Sequence, residues 1–246
     1  MKKDRDIAKE KFVNFRHYFR FALGFGLLIS INSFAQTDTQ GWLQVSPKYH
    51  LSEKTDLGAL VQWRFGRGNS DQILTNLAVS LSLGSVRVEG GFATLSTTHP
   101  FFGSLESRPW IGASTKMNLG SVSWSNRVRT EFRFLSGASG SAIRLRYLTA
   151  FKFPSLMEDA ALHPILNDEI FLHLNSTTGG PGSGFDQNRF KIGLSWKAGE
   201  RTNIDFTYMN FVLNQATGDL VLHVPFVNFV LDITPAHEVE VSDGGS

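Results

Sequence analysis

Residues 121–135 read SVSWSNRVRTEFRFL. Arg127, Arg129, Glu131 and Arg133 occupy every second position, with Val128, Thr130, Phe132 and Phe134 between them. Side chains alternate across a β-strand, so this stretch reads as a strand with one charged face and one apolar, aromatic face. Two settings accommodate it. A soluble sheet turns the charges to water and the aromatics to a core; a membrane barrel turns the aromatics to lipid and the charges to its lumen.

The same period of two recurs along the chain. Leu57, Ala59, Val61, Trp63 and Phe65 alternate with positions that include Gln62 and Arg64, and Leu77, Val79, Leu81 and Leu83 with Asn76, Ser80 and Ser82. Val86, Val88 and Phe92 are set against Arg87 and Glu89, and Ile143, Leu145, Tyr147, Phe151 and Phe153 against Arg144, Arg146 and Lys152. Phe190, Ile192, Leu194 and Trp196 alternate with Arg189, Lys191 and Ser195. Segments 42–51, 110–119 and 202–208 behave likewise. The signal is weaker over 164–175, and over 220–233 Asn228 and Asp232 share parity with Val224 and Phe226. Turn-forming clusters at 66–71, 83–85, 136–141, 176–184, 197–200 and 214–219 separate the runs.

The count is about 11 strands, and no apolar stretch approaches the length of a spanning helix. Several runs are about 9–13 residues long, against about 5–6 for soluble sheets and about 9–11 for tilted membrane strands. Aromatics on the apolar faces lie near strand ends, at Trp42 and Tyr49, Trp63 and Phe65, Trp124, Phe132 and Phe134, Phe151 and Phe153, and Trp196, as in interfacial girdles. The expected fold is all-β, a single antiparallel up-and-down transmembrane barrel of 10–12 strands. Because bacterial single-chain barrels have even strand numbers, 12 is preferred. A secreted, soluble lipocalin-like barrel is the alternative.

The first 35 residues have the form of a secretory signal: a basic region, the apolar run FALGFGLLISI (21–31), and Ser33-Phe34-Ala35. The expected organisation is a signal at 1–35, a barrel at 36–235 and a flexible polar tail at 236–246. The segment holds seven basic and three acidic residues, so the chain's +2 becomes about −2 without it. The sequence pI of 8.9 therefore gives no support to nucleic-acid binding. The chain has no Cys, which excludes a disulfide framework, a thiol nucleophile and Cys-ligated zinc.

In the opening Trp42 strand, NRVRTEFRF (126–134), IRLRYLTAFKF (143–153), NDEIFLHLN (167–175), FDQNRFKIGLSW (185–196) and NIDFTYMNFV (203–212), the chain resembles a family of Gram-negative outer-membrane barrels catalogued as domain of unknown function 2490. The resemblance implies an outer-membrane barrel and supplies no activity, cofactor or catalytic residues.

In a barrel, Arg64, Arg87, Glu89, Arg127, Arg129, Glu131, Arg133, Arg144, Arg146, Glu169, Arg189 and Lys191 are expected to face the lumen as a charge network. Centring the 126–134/143–153 hairpin on its SGASGS turn places Glu131 beside Arg146, and Arg133 beside Arg144. The network reads as structural, while an excess of Arg also draws anions, so an anionic small molecule and a small anion-passing channel are kept as readings. The expected role is a non-enzymatic structural, binding or minor pore function in the outer membrane. Lipid and the barrel-assembly machinery are its partners, with no nucleic acid and no cofactor. His50 and Ser52, two apart on one strand face, carry the alternative of a lipid hydrolase. His163, His173 and His223 are scattered, without metal-ligand spacing. Asp168 and Glu169 are adjacent and so face opposite sides, which leaves Glu169 as an ion-pair partner.

Overall fold

A computed structural model describes residues 36–67, 70–98, 104–157, 161–215 and 218–235; the expected signal at 1–35 and tail at 236–246 lie outside the described residues. Twelve strands run through them: β1 (Gln36–Thr39), β2 (Gly41–His50), β3 (Thr55–Arg67), β4 (Ser70–Leu83), β5 (Val86–Thr98), β6 (Ser104–Leu119), β7 (Val122–Leu135), β8 (Ala142–Lys152), β9 (Leu162–His173), β10 (Gly184–Lys197), β11 (Thr202–Leu213) and β12 (Leu220–Asp232). The described residues contain no helix.

From β2 to β12 each strand pairs antiparallel with the next. β12 then pairs in parallel with β2, from Phe226–Trp42 to Asp232–Lys48, and this closes the sheet. β1 extends the same stave, pairing in parallel with β12 from Gln36–Leu220 to Thr39–His223. Gln40 is the joint between β1 and β2, its N–H donating to the His223 carbonyl at 3.1 Å. The all-β up-and-down barrel and the range of 10–12 strands hold, at twelve. The even-number expectation does not carry over to the staves, because β1 and β2 share one and leave eleven. A chain that reverses at every step brings its eleventh stave back in the direction of its first, so closure must be parallel. The two segments with the weakest signal, 164–175 and 220–233, are β9 and β12, not misread loops.

Closure requires compact turns and local compromises. Gly84 and Gly120 lead the two-residue hairpins β4–β5 and β6–β7 at φ of +63° and +60°, where a side chain is disfavoured. Pro47 and Pro109 lack an N–H for the ladder, and the β2–β3 and β6–β7 pairings skip a step around each. The β7–β8 register differs from the symmetric hairpin: Glu131 faces Arg144, Arg129 faces Arg146, and Arg133 faces Ala142. β7 runs on to Leu135 while β8 starts at Ala142, so the chain reversal is off-centre by one residue and the pairing shifts by two. The repulsive Arg133–Arg144 rung is thereby avoided.

The two faces of the wall are inverted relative to a soluble protein. Leu77 is 68% exposed, Ile111 62% and Val61 53%, whereas Glu131 is 2% exposed and Arg144 and Glu169 are 4%. Outward aromatics gather toward the mouths. Trp63, Phe65, Phe134 and Phe185 lie toward the mouth bearing the longer loops, and Tyr49, Trp124, Phe151 and Trp196 toward the mouth bearing the tighter turns. Trp42 departs from the girdle expected for it. It is buried on the inner face, with Phe211 and Phe226 edge-on at 5.8 and 6.0 Å. Outward polar side chains pair among themselves. Asn188 Nδ2 donates to Asp168 Oδ1 at 2.7 Å, Tyr147 O–H to Asn126 Oδ1 at 2.8 Å and Trp124 Nε1 to Thr149 Oγ1 at 2.9 Å; Tyr208 meets His223.

The absence of native Cys makes the parallel seam directly testable. Replacing Val45 and Phe229, cross-strand partners in β2 and β12, with Cys should give efficient oxidative cross-linking, since directly opposed strand residues fall within disulfide reach. The pair Val45→Cys and Val221→Cys should stay reduced. Non-reducing gel migration of the denatured chain reads both.

Candidate functional site

The inner face is built from cross-strand rungs. One runs Gly91, Trp110, Glu131, Arg144, His173 across β5–β9. The next, nearer the tight-turn mouth, runs Ser80, Glu89, Gly112, Arg129, Arg146, Phe171. A third runs Ser82, Arg87, Ser114, Arg127, Leu148, Glu169. Period-two alternation on successive strands therefore stacks the arginines in layers, and long side chains bridge between layers.

Two carboxylates organise the middle. Glu131 accepts from Arg144 Nε at 2.9 Å and Nη2 at 2.5 Å, and also from Arg146 Nη1. Glu169 accepts from Arg146 Nη2 at 2.8 Å and from Arg127 Nη2 at 3.0 Å. Arg144 also donates to Asp186 Oδ2 at 3.0 Å. Toward the long-loop mouth, Glu106 takes both Arg108, at 2.7 and 2.8 Å, and Arg133, at 2.5 and 3.1 Å. His173 Nε2 faces Arg133 Nη1 at 2.7 Å. At the tight-turn mouth, buried Asp56 meets Arg87 at 2.5 Å, His50 at 2.5 Å and Lys48 at 3.1 Å. Charge-assisted and bidentate contacts of this kind are the strong ones.

Of the twelve charged residues read from the sequence, Arg87, Arg127, Glu131, Arg133, Arg144, Arg146 and Glu169 are in close ion pairs. Arg129 and Glu89 are in a looser one at 3.7 Å. Arg64, Arg189 and Lys191 are not: no carboxylate lies within 4 Å of any of them among the described residues. Rings take over there. Arg64 lies 4.2 Å from the Trp42 ring centroid on one side and Arg189 lies 5.1 Å from it. Arg189 also sits over Phe211 at 4.6 Å and Phe171 at 4.7 Å, and Lys191 over Phe226 at 5.4 Å. Arg129 covers Trp110 at 3.5 Å. Aromatic faces attract cations, the more so when both are desolvated.

Several members escaped the sequence reading. Glu106 and Arg108 lie outside the expected run 110–119, whereas β6 begins at Ser104 and carries both, with Pro109 inside it. Asp56 and Asp186 stand at strand margins. The apolar inner wall of Leu220, Leu222, Val224, Phe226, Met209 and Phe211, packed with Trp42, was hidden by the mixed parity of β12. The only available signal was the strict even spacing of Leu220, Leu222 and Val224. Glu169 faces inward and Asp168 outward, as adjacent strand residues must. Ser52 Oγ accepts from the Lys54 and Thr55 N–H groups at 3.3 and 3.1 Å, while His50 is held between Asp56 and Asp232. The structure does not bring Ser52 and His50 into hydrogen-bond contact. His163 donates to the Phe153 carbonyl at 3.0 Å, and His223 faces outward. No group of three metal-ligating residues converges among the described residues.

A cavity opens at each mouth of the barrel. One of about 180 Å³ lies at the long-loop mouth beside Gln40, Arg64 and Gln72. The other, of about 430 Å³, lies at the tight-turn mouth beside Arg87, Glu89, Lys116 and Arg127. The layers of Glu131, Phe171, Trp42 and Met209, each no more than 4% exposed, stand between them.

The family described as "Protein of unknown function (DUF2490)" matches residues 39–221. The chain belongs to this family. It is also 29% identical over 177 residues to an uncharacterized protein of Methylorubrum extorquens, covering 69% of this chain and 77% of that one.

The two classes of buried cation respond differently to substitution. Glu131→Gln leaves Arg144 and Arg146 without their shared counter-charge and should cost about 3–5 kcal/mol. Lys191→Met removes a cation that has no carboxylate partner and should leave stability unchanged or raise it. Urea unfolding of the barrel in neutral detergent, followed by Trp fluorescence, measures both.

Proposed function

We propose that this DUF2490 member is an integral barrel of a Gram-negative outer membrane, non-enzymatic, with an Arg/Glu-filled lumen that serves a structural or ligand-binding role. In this reading the segment 1–35 is removed as a signal during export, and the barrel-assembly machinery inserts the chain into lipid. The observation that carries it is the inverted wall: charge enclosed, large apolar side chains outside on strand after strand. Monomeric soluble proteins rarely expose contiguous apolar patches beyond a few hundred Å², and a lipocalin-like barrel would hold these same side chains in its centre. Strands β2–β12 are 10 to 16 residues long, enough to span the hydrocarbon with tilt. The closed run β2–β12 gives each of these strands a paired neighbour on both sides, which satisfies the backbone as lipid requires. The pairing of Asp168 with Asn188 and of Tyr208 with His223 leaves those outward polar groups hydrogen-bonded to one another, which lowers their cost in lipid.

Tight turns are periplasmic and longer loops extracellular in such barrels, so the Gly84 and Gly120 hairpins are assigned to the periplasmic mouth. The packed layers between the two cavities favour a closed lumen over an anion-passing channel. The engagement of Ser52 by its own turn favours a non-enzymatic role over a lipid hydrolase.

The expected result on fractionating cells that express the chain is recovery in the outer membrane. The barrel should migrate on detergent gels at a different apparent mass when unheated, and no steady conductance should be seen in planar bilayers. Recovery as a soluble periplasmic protein would overturn the membrane reading; stable anion-selective steps would replace the closed lumen with a pore.

A further inference from the structure

Deepening the proposed ligand-binding reading of a closed interior, we propose that the 430 Å³ cavity at the tight-turn mouth is a binding site for a phosphate monoester dianion. The volume falls within the roughly 300–1,000 Å³ of small-molecule pockets. Three cations line it, Arg87, Lys116 and Arg127, against one carboxylate, Glu89. That carboxylate is already engaged, accepting from Ser114 Oγ at 3.0 Å and lying 3.7 Å from Arg129. Asp56 behind Arg87 and Glu169 behind Arg127 offset two of these cations from outside the lining, which leaves Lys116 as the uncompensated charge that an anion would meet.

Donor capacity is available where that charge lies. Arg127 spends Nη2 on Glu169 at 3.0 Å and its Nε is closed off from solvent, which leaves Nη1 as its donor. Lys116, on the rung Lys116–Ser125, has no carboxylate within 4 Å among the described residues. Ser82 and Ser125 add hydroxyls to the lining. Arg87 is the fixed corner, held by Asp56 at 2.5 Å and Ser80 at 2.9 Å. A planar guanidinium, a mobile ammonium and hydroxyl donors around a concave wall suit tetrahedral oxyanions. The cavity at the other mouth is less suited. It is smaller, and its one cation, Arg64, already donates to Gln62 at 2.7 Å and to Gln72 at 3.4 Å.

The phosphate can belong to a soluble metabolite or to a lipid head group, and the test separates the two. The barrel purified from membranes in neutral detergent is titrated calorimetrically with inorganic phosphate, with glycerol 3-phosphate, with glycerol, and with micelles doped with phosphatidic acid. Saturable binding of inorganic phosphate and glycerol 3-phosphate, with a dissociation constant of about 1 mM or tighter, and none of glycerol is expected for a soluble source. Saturation by phosphatidic acid alone supports the phosphate site with a lipid as its source. Lys116→Gln should weaken binding about tenfold, and Arg127→Gln should do so by more while Arg146 still holds Glu169. Lys197→Gln, exposed and outside the cavity, should bind as the wild type does. Should the heat-modifiable barrel bind no phosphate in any form, or Lys116→Gln bind as tightly as the wild type, the inference is overturned and the membrane assignment stands. Should the protein instead be recovered as soluble, the membrane assignment falls and the same titration still decides the site.

Discussion

Glu131 reaches Arg144 and Arg146 together, and Glu169 reaches Arg146 and Arg127. With Asp186 on Arg144, three guanidinium groups meet three carboxylates around a centre, Glu131 and Arg144, that is almost fully buried. Removing an ion from water costs several kcal/mol even after relaxation, so these charges are tolerated only as a set. The set in turn depends on register. Glu131 opposite Arg144 puts the carboxylate between two layers of arginine, whereas a slip of two residues would align Arg133 with Arg144. Because a slip of one residue would reverse the wall, and a slip of two would set Arg133 against Arg144, strand alignment and interior electrostatics constrain each other.

The eleven-stave closure shapes the rest. Parallel pairing at the β12–β2 seam brings Trp42 against the inner face of β11 and β12, where Met209, Phe211, Leu222 and Val224 form an apolar wall. Across the barrel from this wall stand the charged rungs of β6–β9. Arg189 lies where the two halves meet, with Trp42, Phe211 and Phe171 all within 5.1 Å of its guanidinium carbon. Aromatic rings there serve as both packing volume and counter-charge. The rings supplement Glu169, which stands opposite Arg189 in the β9–β10 ladder but beyond ion-pair distance.

Much of this was legible in the residues because alternation is a local property: SVSWSNRVRTEFRFL states its two faces outright, and β7 keeps them. Closure is not local. Whether eleven runs mean ten, eleven or twelve staves depends on whether QTDT at 36–39 continues β2, a matter settled only by pairing with residues nearly two hundred positions away. The expected run 110–119 stops short of Pro109, whereas β6 begins at Ser104. A proline reads as a break when only its own segment is considered, but a barrel strand tolerates the missing N–H by skipping a step with one neighbour. Trp42 shows the converse case. An aromatic at a strand end fits an interfacial girdle by position, yet its parity with Gln44 and Ser46 already placed it on the inner face.

The count of arginines therefore overstates the positive charge available to a ligand. Arg144 and Arg146 are satisfied by acids, and Arg64 and Arg189 are covered by rings. None of these four can meet an incoming anion without giving up a partner. Among the described residues, field and access coincide at the tight-turn mouth, where Lys116 and Arg127 line the 430 Å³ cavity. An excess of cations in a barrel interior has to be divided into those that hold the wall together and those left facing solvent, and Lys116 belongs to the second group.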